Sequence, residues 1–222
     1  MIELKNVSYD YVTKAGVVHA LREVNALFED GTLHAVVGRS GSGKTTLISM
    51  IAGLDVPKAG SVLALDKDLG KADRDEFRSK NVGMIFQSYY LLPQFTAKEN
   101  ILLPVEFFGS KETKKSRDAI AEKLLEEVGL TAFHGKKRPN QLSGGEQQRV
   151  AIARALATDP SIILADEPTG NLDNENSENI VHLLKSLAKK GKCVIVVTHS
   201  MEVAAEADAV WEMSDGRLKR VR

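Results

Sequence analysis

The chain has 222 residues, which at about 150 residues per domain suits one large domain or a core with an inserted subdomain better than a tandem multidomain machine. Lys plus Arg is 30 and Asp plus Glu is 30, so the formal net charge is zero and no global field selects nucleic acid or an anionic membrane as partner. Hydrophobic residues make up 43% and charged residues 27%, the composition of a folded chain rather than a disordered one.

The opening residues MIELKNVSYDYV carry Glu3 and Lys5 where a secretory leader needs its apolar stretch. No uninterrupted apolar run approaches the roughly 18 residues of a membrane span. The expectation is a chain that meets a membrane only through a partner. Ile2, Leu4 and Val7, with polar residues between them, predict a half-exposed strand, and Glu29-Asp30-Gly31-Thr32 predicts a turn. The apolar run Leu33-His34-Ala35-Val36-Val37 ends at Gly38, and Thr46 to Ala52 reads as a helix stopped by Gly53. Strand-like runs recur at 62–65, 82–86, 162–165, 194–198 and 209–213. Strands alternating with helices predict an α/β fold with a mainly parallel sheet.

Between residues 88 and 161 the alternation stops and only helical patterns remain, such as Asp118 to Val128 with Ile120, Leu124, Leu125 and Val128 on one face. The expected organisation is a single domain, 1–222, in which residues 1–87 and 162–222 form the core and 88–161 a helical insert. Lys111, Lys114 and Lys115 read as the solvated face of a helix. The single cysteine, Cys193, sits in an apolar strand-like run, as suits a reducing compartment. The basic end, Arg217, Lys219, Arg220 and Arg222, reads as a solvated strand edge rather than a lipid-binding cluster.

Three motifs carry chemistry. Gly38-Arg39-Ser40-Gly41-Ser42-Gly43-Lys44-Thr45 matches G-x-x-x-x-G-K-[ST] between a predicted strand and a predicted helix, the context that motif requires. Its glycines let successive N-H groups turn inward on an anion, Lys44 can meet β and γ phosphates, and Thr45 offers a hydroxyl to Mg²⁺. Next, the strand Ile162-Ile163-Leu164-Ala165 ends in Asp166 and Glu167, with Pro168 blocking continuation. Adjacent acids on a strand point to opposite sides, so Asp166 can face a metal while Glu167 reaches the γ-phosphate side and an attacking water. Finally, Ser143-x-x-Glu146 is a capping box at the start of a helix, yet Gly144 and Gly145 occupy its first turn, where they weaken a helix but open its backbone to a ligand. A second anion site within one chain has no obvious use for a single nucleotide.

The order of phosphate loop, Gln87, Leu142-Ser143-Gly144-Gly145-Glu146, Asp166-Glu167, Gly170-Asn171-Leu172-Asp173 and His199 resembles that of ABC-type ATPases, the nucleotide-binding subunits of ABC transporters, over essentially the whole chain. Pro139-Asn140-Gln141-Leu142-Ser143-Gly144-Gly145 and Ala165-Asp166-Glu167-Pro168-Thr169-Gly170-Asn171-Leu172-Asp173 further resemble the branch serving lipoprotein release, macrolide export, antimicrobial-peptide resistance and the cell-division regulator. The resemblance implies a P-loop NTPase core with an N-terminal antiparallel β subdomain and the helical insert. It also implies ATP and Mg²⁺ as ligands, with Gly38, Arg39, Ser40, Gly41, Ser42, Gly43, Lys44, Thr45 and Thr46 around ATP and Thr45, Gln87 and Asp166 at the metal. Gln87, Glu167 and His199 would serve hydrolysis. A second copy, or a similar subunit, would bring Ser143, Gly144 and Gly145 onto the same ATP in trans and Asp173 to the dimer interface. An integral membrane permease is the other implied partner, met at the cytoplasmic face of the membrane; the alternative is a nucleotide-dependent regulator of a membrane protein in cell division, without cargo transport. Nucleic acid is not an implied partner.

Tyr11 stands where the family stacks an aromatic on adenine, and Tyr9 is the competing residue. Six of the twelve aromatics, Phe86, Tyr89, Tyr90, Phe95, Phe107 and Phe108, crowd into residues 86–108. Two explanations stand at this stage: the core of the insert, or a groove for a helix of the membrane subunit.

Overall fold

The computed structural model describes residues 1–14, 16–108 and 114–222. In chain order the first elements are β1 (Ile2–Thr13), β2 (Gly16–Phe28), β3 (Leu33–Val37), α1 (Lys44–Ile51), β4 (Ala59–Ala64), β5 (Lys67–Asp68), α2 (Arg74–Asn81) and β6 (Val82–Phe86). Helices α3 (Ala97–Phe108), α4 (Lys114–Glu127), α5 (Ala132–Gly135) and α6 (Gly144–Leu156) follow, with one 3-10 turn at Pro139–Gln141. The chain then alternates through β7 (Ile162–Asp166), α7 (Asn174–Lys189), β8 (Cys193–Thr198), α8 (Met201–Glu206), β9 (Ala209–Ser214) and β10 (Arg217–Arg220).

Strands β1, β2, β4 and β5 form an antiparallel sheet in the order β2-β1-β4-β5. The other six form a sheet in the order β10-β9-β3-β8-β7-β6, parallel except where β10 turns back on β9. The central strands are apolar at almost every position because both of their faces are covered. Side chains alternate across the sheet. Ile163, Ala165, Val194 and Val196 pack with Ile152 of α6 and Leu184 of α7. Ile162, Leu164 and Ile195 face the other way, onto Leu47 and Ile51 of α1 and, beyond it, Ile2 and Phe28 of the antiparallel sheet. Helix α1 is thus enclosed between two sheets, and each such Leu or Ile contributes about 1.5–3 kcal/mol relative to exposure.

Leu124, Leu125 and Val128 are buried in the first of these clusters and Ile120 packs at its margin, as the periodicity predicts. Lys111 lies outside the described residues, only the backbone of Lys114 is described, and Lys115 is exposed. Cys193 is buried, and burial pushes its thiol up to about 12, so it is inert toward oxidation and metals. At the basic end, Arg217, Lys219 and Arg220 are exposed on edge strand β10. Arg222 instead closes the end of α8, donating to the carbonyls of Ala204 (2.7 Å) and Ala207 (2.6 Å).

His34 is fully buried on β3. Trp211 Nε1 donates to its Nδ1 (3.4 Å), and the Glu29 N-H donates to its Nε2 (2.9 Å), which also lies 3.2 Å from the Glu29 carbonyl. An imidazolium carries N-H at both nitrogens and can accept from neither donor, so the ring is neutral. Burial holds the imidazole below its usual 6.5, against the smaller opposing pull of Glu29. Between the folded value and 6.5 the unfolded chain therefore binds the extra proton. The stability this ring contributes is complete above about pH 6.5 and is lost as pH falls below it. Urea midpoints measured between pH 5 and 8 should decline on the acid side, and His34→Gln should flatten that decline; equal slopes for the two proteins would contradict it.

Candidate active site

The parallel register brings three strand ends to one edge: Phe86 pairs with Asp166, and Asp166 with Val197. Gln87, Glu167 and Thr198 therefore emerge side by side, next to the loop that leaves β3. That loop is pressed against the rest of the fold. A Cβ on Gly38 would stand 2.3 Å from the Met213 carbonyl oxygen, and one on Gly43, where φ is +110°, 2.3 Å from the Ala20 carbonyl oxygen. No side chain caps the N-terminus of α1, so its first N-H groups are available to an anion. Lys44 is largely buried and its ammonium donates to the carbonyls of Gly38 (2.7 Å) and Arg39 (3.0 Å).

A cleft of about 730 Å³ opens over this edge, lined by Tyr11, Ser40, Gly41, Gly43, Lys44, Thr45, Thr46, Gln87, Asp166, Glu167 and His199 among others. Gly38, Arg39 and Ser42 face a neighbouring cleft with Met201 and Glu212, and Ser40, Gly41 and His199 border both. The two tyrosines are separated by burial. Tyr9 is 7% exposed and its hydroxyl donates to Asp55, which with burial pushes the phenol up to about 12. Tyr11 is 44% exposed, edge-on to Tyr9, with its hydroxyl 3.3 Å from Thr46 Oγ1.

Asp166 is half-buried. Desolvation and the adjacent Glu167 raise its carboxyl above the usual range, and Lys44 opposes them. Strand alternation predicts that Asp166 and Glu167 diverge, yet both line the cleft. The reason is that β7 ends at Asp166 and Glu167 turns into the left-handed region, φ +48°. Its N-H remains tied to the Val197 carbonyl (2.8 Å). Its carboxylate accepts from Thr198 Oγ1 (3.0 Å) and the His199 N-H (3.3 Å), and lies 2.9 Å from His199 Nδ1. A non-glycine residue at such a φ costs about 1–2 kcal/mol, and the three partners hold it there.

Gln87 has a partner that the motifs did not assign a role. Asn171 Nδ2 donates to the Gln87 carbonyl (3.0 Å), and Gln87 Nε2 donates to Asn171 Oδ1 (3.3 Å). Gly170 makes room for this, since a Cβ there would lie 2.7 Å from Gln87 Nε2. The asparagine was visible only as one letter of Gly170-Asn171-Leu172-Asp173; nothing local signals a contact 84 residues away.

Ser143, Gly144 and Gly145 do not line the cleft. Ser143 is the exposed N-cap of α6; its Oγ accepts from the Glu146 N-H (3.2 Å), and Glu146 Oε2 accepts from the Ser143 N-H (2.9 Å). That backbone donor holds the Glu146 carboxyl below its usual range. Only one of the two glycines is free to admit a ligand. A Cβ on Gly145 would stand 2.2 Å from Asn176 Oδ1, so this glycine serves the packing of α6 on α7, whereas Gly144 is half-exposed. Asp173 is exposed and caps α7, accepting from the Asn176 N-H (2.8 Å), which holds its carboxyl low.

Of the crowded aromatics none belongs to the buried core, and Tyr90, Phe107 and Phe108 are exposed. The explanation as the core of the insert therefore falls.

A phosphate loop at the edge of a parallel sheet, acids on the adjoining strand end and an antiparallel sheet over α1 define a P-loop ATPase. The family model described as ABC transporter matches residues 21–170, and the chain belongs to that family as an ATP-binding subunit. It is 44% identical over 222 residues to the lipoprotein-releasing system ATP-binding protein LolD of Syntrophotalea carbinolica, covering 98% of this chain and 96% of that one. It is 43% identical over 219 residues to the macrolide export ATP-binding/permease protein MacB of Chlorobaculum tepidum, covering 97% of this chain and 33% of that one. Among solved structures, the dimeric ATP-binding cassette MJ0796 bound to ADP and Pi in a post-hydrolysis state superimposes with a TM-score of 0.91 at 38% identity, over 100% of this chain and 99% of that one.

Proposed function

We propose that this chain powers a membrane transport complex of the lipoprotein-release, macrolide-export or antimicrobial-peptide-resistance type. It would close head to tail with a second copy, or a similar subunit, around two MgATP. The observation that carries this reading is the exposed start of α6. Ser143 and Gly144 present a helix N-terminus that no nucleotide in the chain's own cleft would touch, so each site is completed from a second molecule.

In this reading Tyr11 stacks on adenine, and the N-H groups of residues 38–46 cradle the phosphates. Lys44 exchanges its carbonyl partners for β and γ oxygens. Thr45, Gln87 and Asp166 offer the oxygen donors that suit Mg²⁺, which when bound neutralises charge between the β and γ phosphates. Glu167 orients and deprotonates the attacking water. With Nδ1 held by Glu167, His199 keeps Nε2 for the γ-phosphate. Asp173 stands at the interface between copies, and loss of the γ-phosphate that both copies grip lets them part.

The exposed Leu92, Phe107 and Phe108 are the apolar side chains offered to a helix of an integral permease, with Tyr90 at the border of the cleft. No helix among the described residues is long and apolar enough to cross a membrane, and the chain would act at the cytoplasmic face through that permease. Purification from detergent-solubilised membranes should recover a permease that raises ATPase turnover and moves cargo in liposomes. Recovery of no membrane protein would refute the reading, and a partner that moves nothing would favour the cell-division regulator.

Tyr11→Ala should weaken ATP binding roughly 5- to 150-fold, the worth of about 1–3 kcal/mol of base stacking, as read by titration with a fluorescent nucleotide. Tyr9→Phe should leave the affinity unchanged. Equal effects at the two positions would remove Tyr11 from the site.

A further inference from the structure

Arg154 lies three turns along α6 from Ser143, half-buried, and its guanidinium crosses to the loop that follows β6. Nη1 donates to the Tyr90 carbonyl (2.5 Å) and Nη2 to the Tyr89 carbonyl (2.6 Å). Those two residues are consecutive and both left-handed, with φ of +55° at Tyr89 and +47° at Tyr90. Each costs about 1–2 kcal/mol in a non-glycine residue, so the pair persists only where its surroundings over-determine it. A planar fork on two successive carbonyls does this, because the rigid donor spacing fixes the peptide between them.

The same loop touches α6 a second time. The Tyr89 hydroxyl lies 3.2 Å from where a Cβ on Gly144 would stand, at the first residue of the helix. Gln87, two residues before Tyr89, and Tyr90 itself line the nucleotide cleft. One rigid helix therefore carries the exposed Ser143 start at one end, and through Arg154 grips the backbone next to Gln87.

We infer that Arg154 is a positioning residue. It holds Tyr89 and Tyr90 in their left-handed conformation and so sets the place of Gln87 in the cleft, which makes that place follow any displacement of α6. This rests on the assignment of Gln87 to hydrolysis. Engagement of Ser143 and Gly144 by a second molecule's nucleotide then reaches the helix's own cleft through the Arg154 fork.

The test is a double-mutant cycle of Arg154→Met and Gln87→Ala, with Tyr90→Gly as the rescuing change. Steady-state ATPase assays, ATP titrations and hydrogen exchange at the amides of residues 87–91 supply the readouts. Arg154→Met should lower kcat about 10- to 100-fold, the scale of a small misplacement of a reacting group, with the ATP dissociation constant within about twofold of the parent. Adding it to Gln87→Ala should cost nothing further, because both changes remove one interaction. Tyr90→Gly should restore part of the kcat lost in Arg154→Met, since glycine takes a positive φ without a clamp.

Multiplying losses, or no recovery with glycine, would reduce Arg154 to a general structural contact and overturn the inference. Should Arg154→Met fail to fold, Arg154→Lys replaces it with the same expectations at smaller size, because one ammonium cannot fork two carbonyls. Exchange at residues 87–91 reads the clamp without activity. If Gln87→Ala turns over like the parent while exchange still rises in the Arg154 variant, the hydrolytic role of Gln87 falls and the clamp stands. Unchanged exchange sinks the clamp.

Discussion

Glu167→Gln is expected to bind ATP as tightly as the parent while hydrolysing it about 10²- to 10⁴-fold more slowly, the usual worth of general acid-base assistance. The geometry makes this substitution selective. The carboxylate accepts from Thr198 Oγ1 and the His199 N-H and neighbours His199 Nδ1, and an amide of the same shape keeps an acceptor for the first two while losing the ability to take a proton. Binding groups are left untouched, since the side-chain hydrogen bonds of Glu167 run to Thr198 and His199 rather than to the loop from Gly38 to Thr46. An ATP-bound dimer should therefore accumulate, visible by light scattering as a doubling of mass that depends on ATP. Phosphate release at the parent's rate would remove Glu167 from the chemistry, and tight ATP binding with no change of mass at any concentration would remove the dimer.

The second large effect is expected from Ser143→Arg. The side chain is exposed at the start of α6, and in the proposed head-to-tail dimer the guanidinium would occupy the space taken by a second molecule's phosphates. ATP binding by the isolated subunit should be spared, because Ser143 does not line its own cleft. Turnover should fall about 10²- to 10³-fold, comparable to removing a donor from a charge-stabilising site, and the ATP-dependent dimer should be lost even when Glu167→Gln is combined with it. Loss of the cap costs about 0.5–2 kcal/mol by itself. Ser143→Ala, which loses the cap without adding bulk, separates the two causes: it should lower the melting temperature as much as Ser143→Arg but retain the dimer. Normal dimerisation of Ser143→Arg would exclude the head-to-tail arrangement.

The two substitutions probe features of unequal visibility. The phosphate loop and the acids after Ala165 are runs of neighbouring residues whose chemistry is set by their own spacing, so they can be read before any fold is known. Parallel strands β3, β7 and β8 were equally plain, because strands covered on both faces need unbroken apolar runs. Helix α2 leaves no apolar periodicity in the sequence, because Phe77 is its one buried residue. The pairing of Asn171 with Gln87 and of Arg154 with Tyr89 and Tyr90 joins residues 84, 65 and 64 positions apart, and no local pattern encodes such a bond.

Several side chains also owe their meaning to burial alone. Tyr9 and Tyr11 are the same letter in one strand, yet Tyr9 packs into the core with Asp55 meeting its hydroxyl while Tyr11 stays exposed. Gly144 and Gly145 looked like one device until Asn176 filled the space beside the second. Composition, apolar spacing and contiguous motifs thus determined the class of fold, the phosphate loop and the paired acids that end a later strand, since each follows from interactions within a few residues. Which way Glu167 turns, what grips Gln87 and which of the two glycines at the start of α6 stays open were decided by the packed chain, because those depend on atoms that only folding brings together.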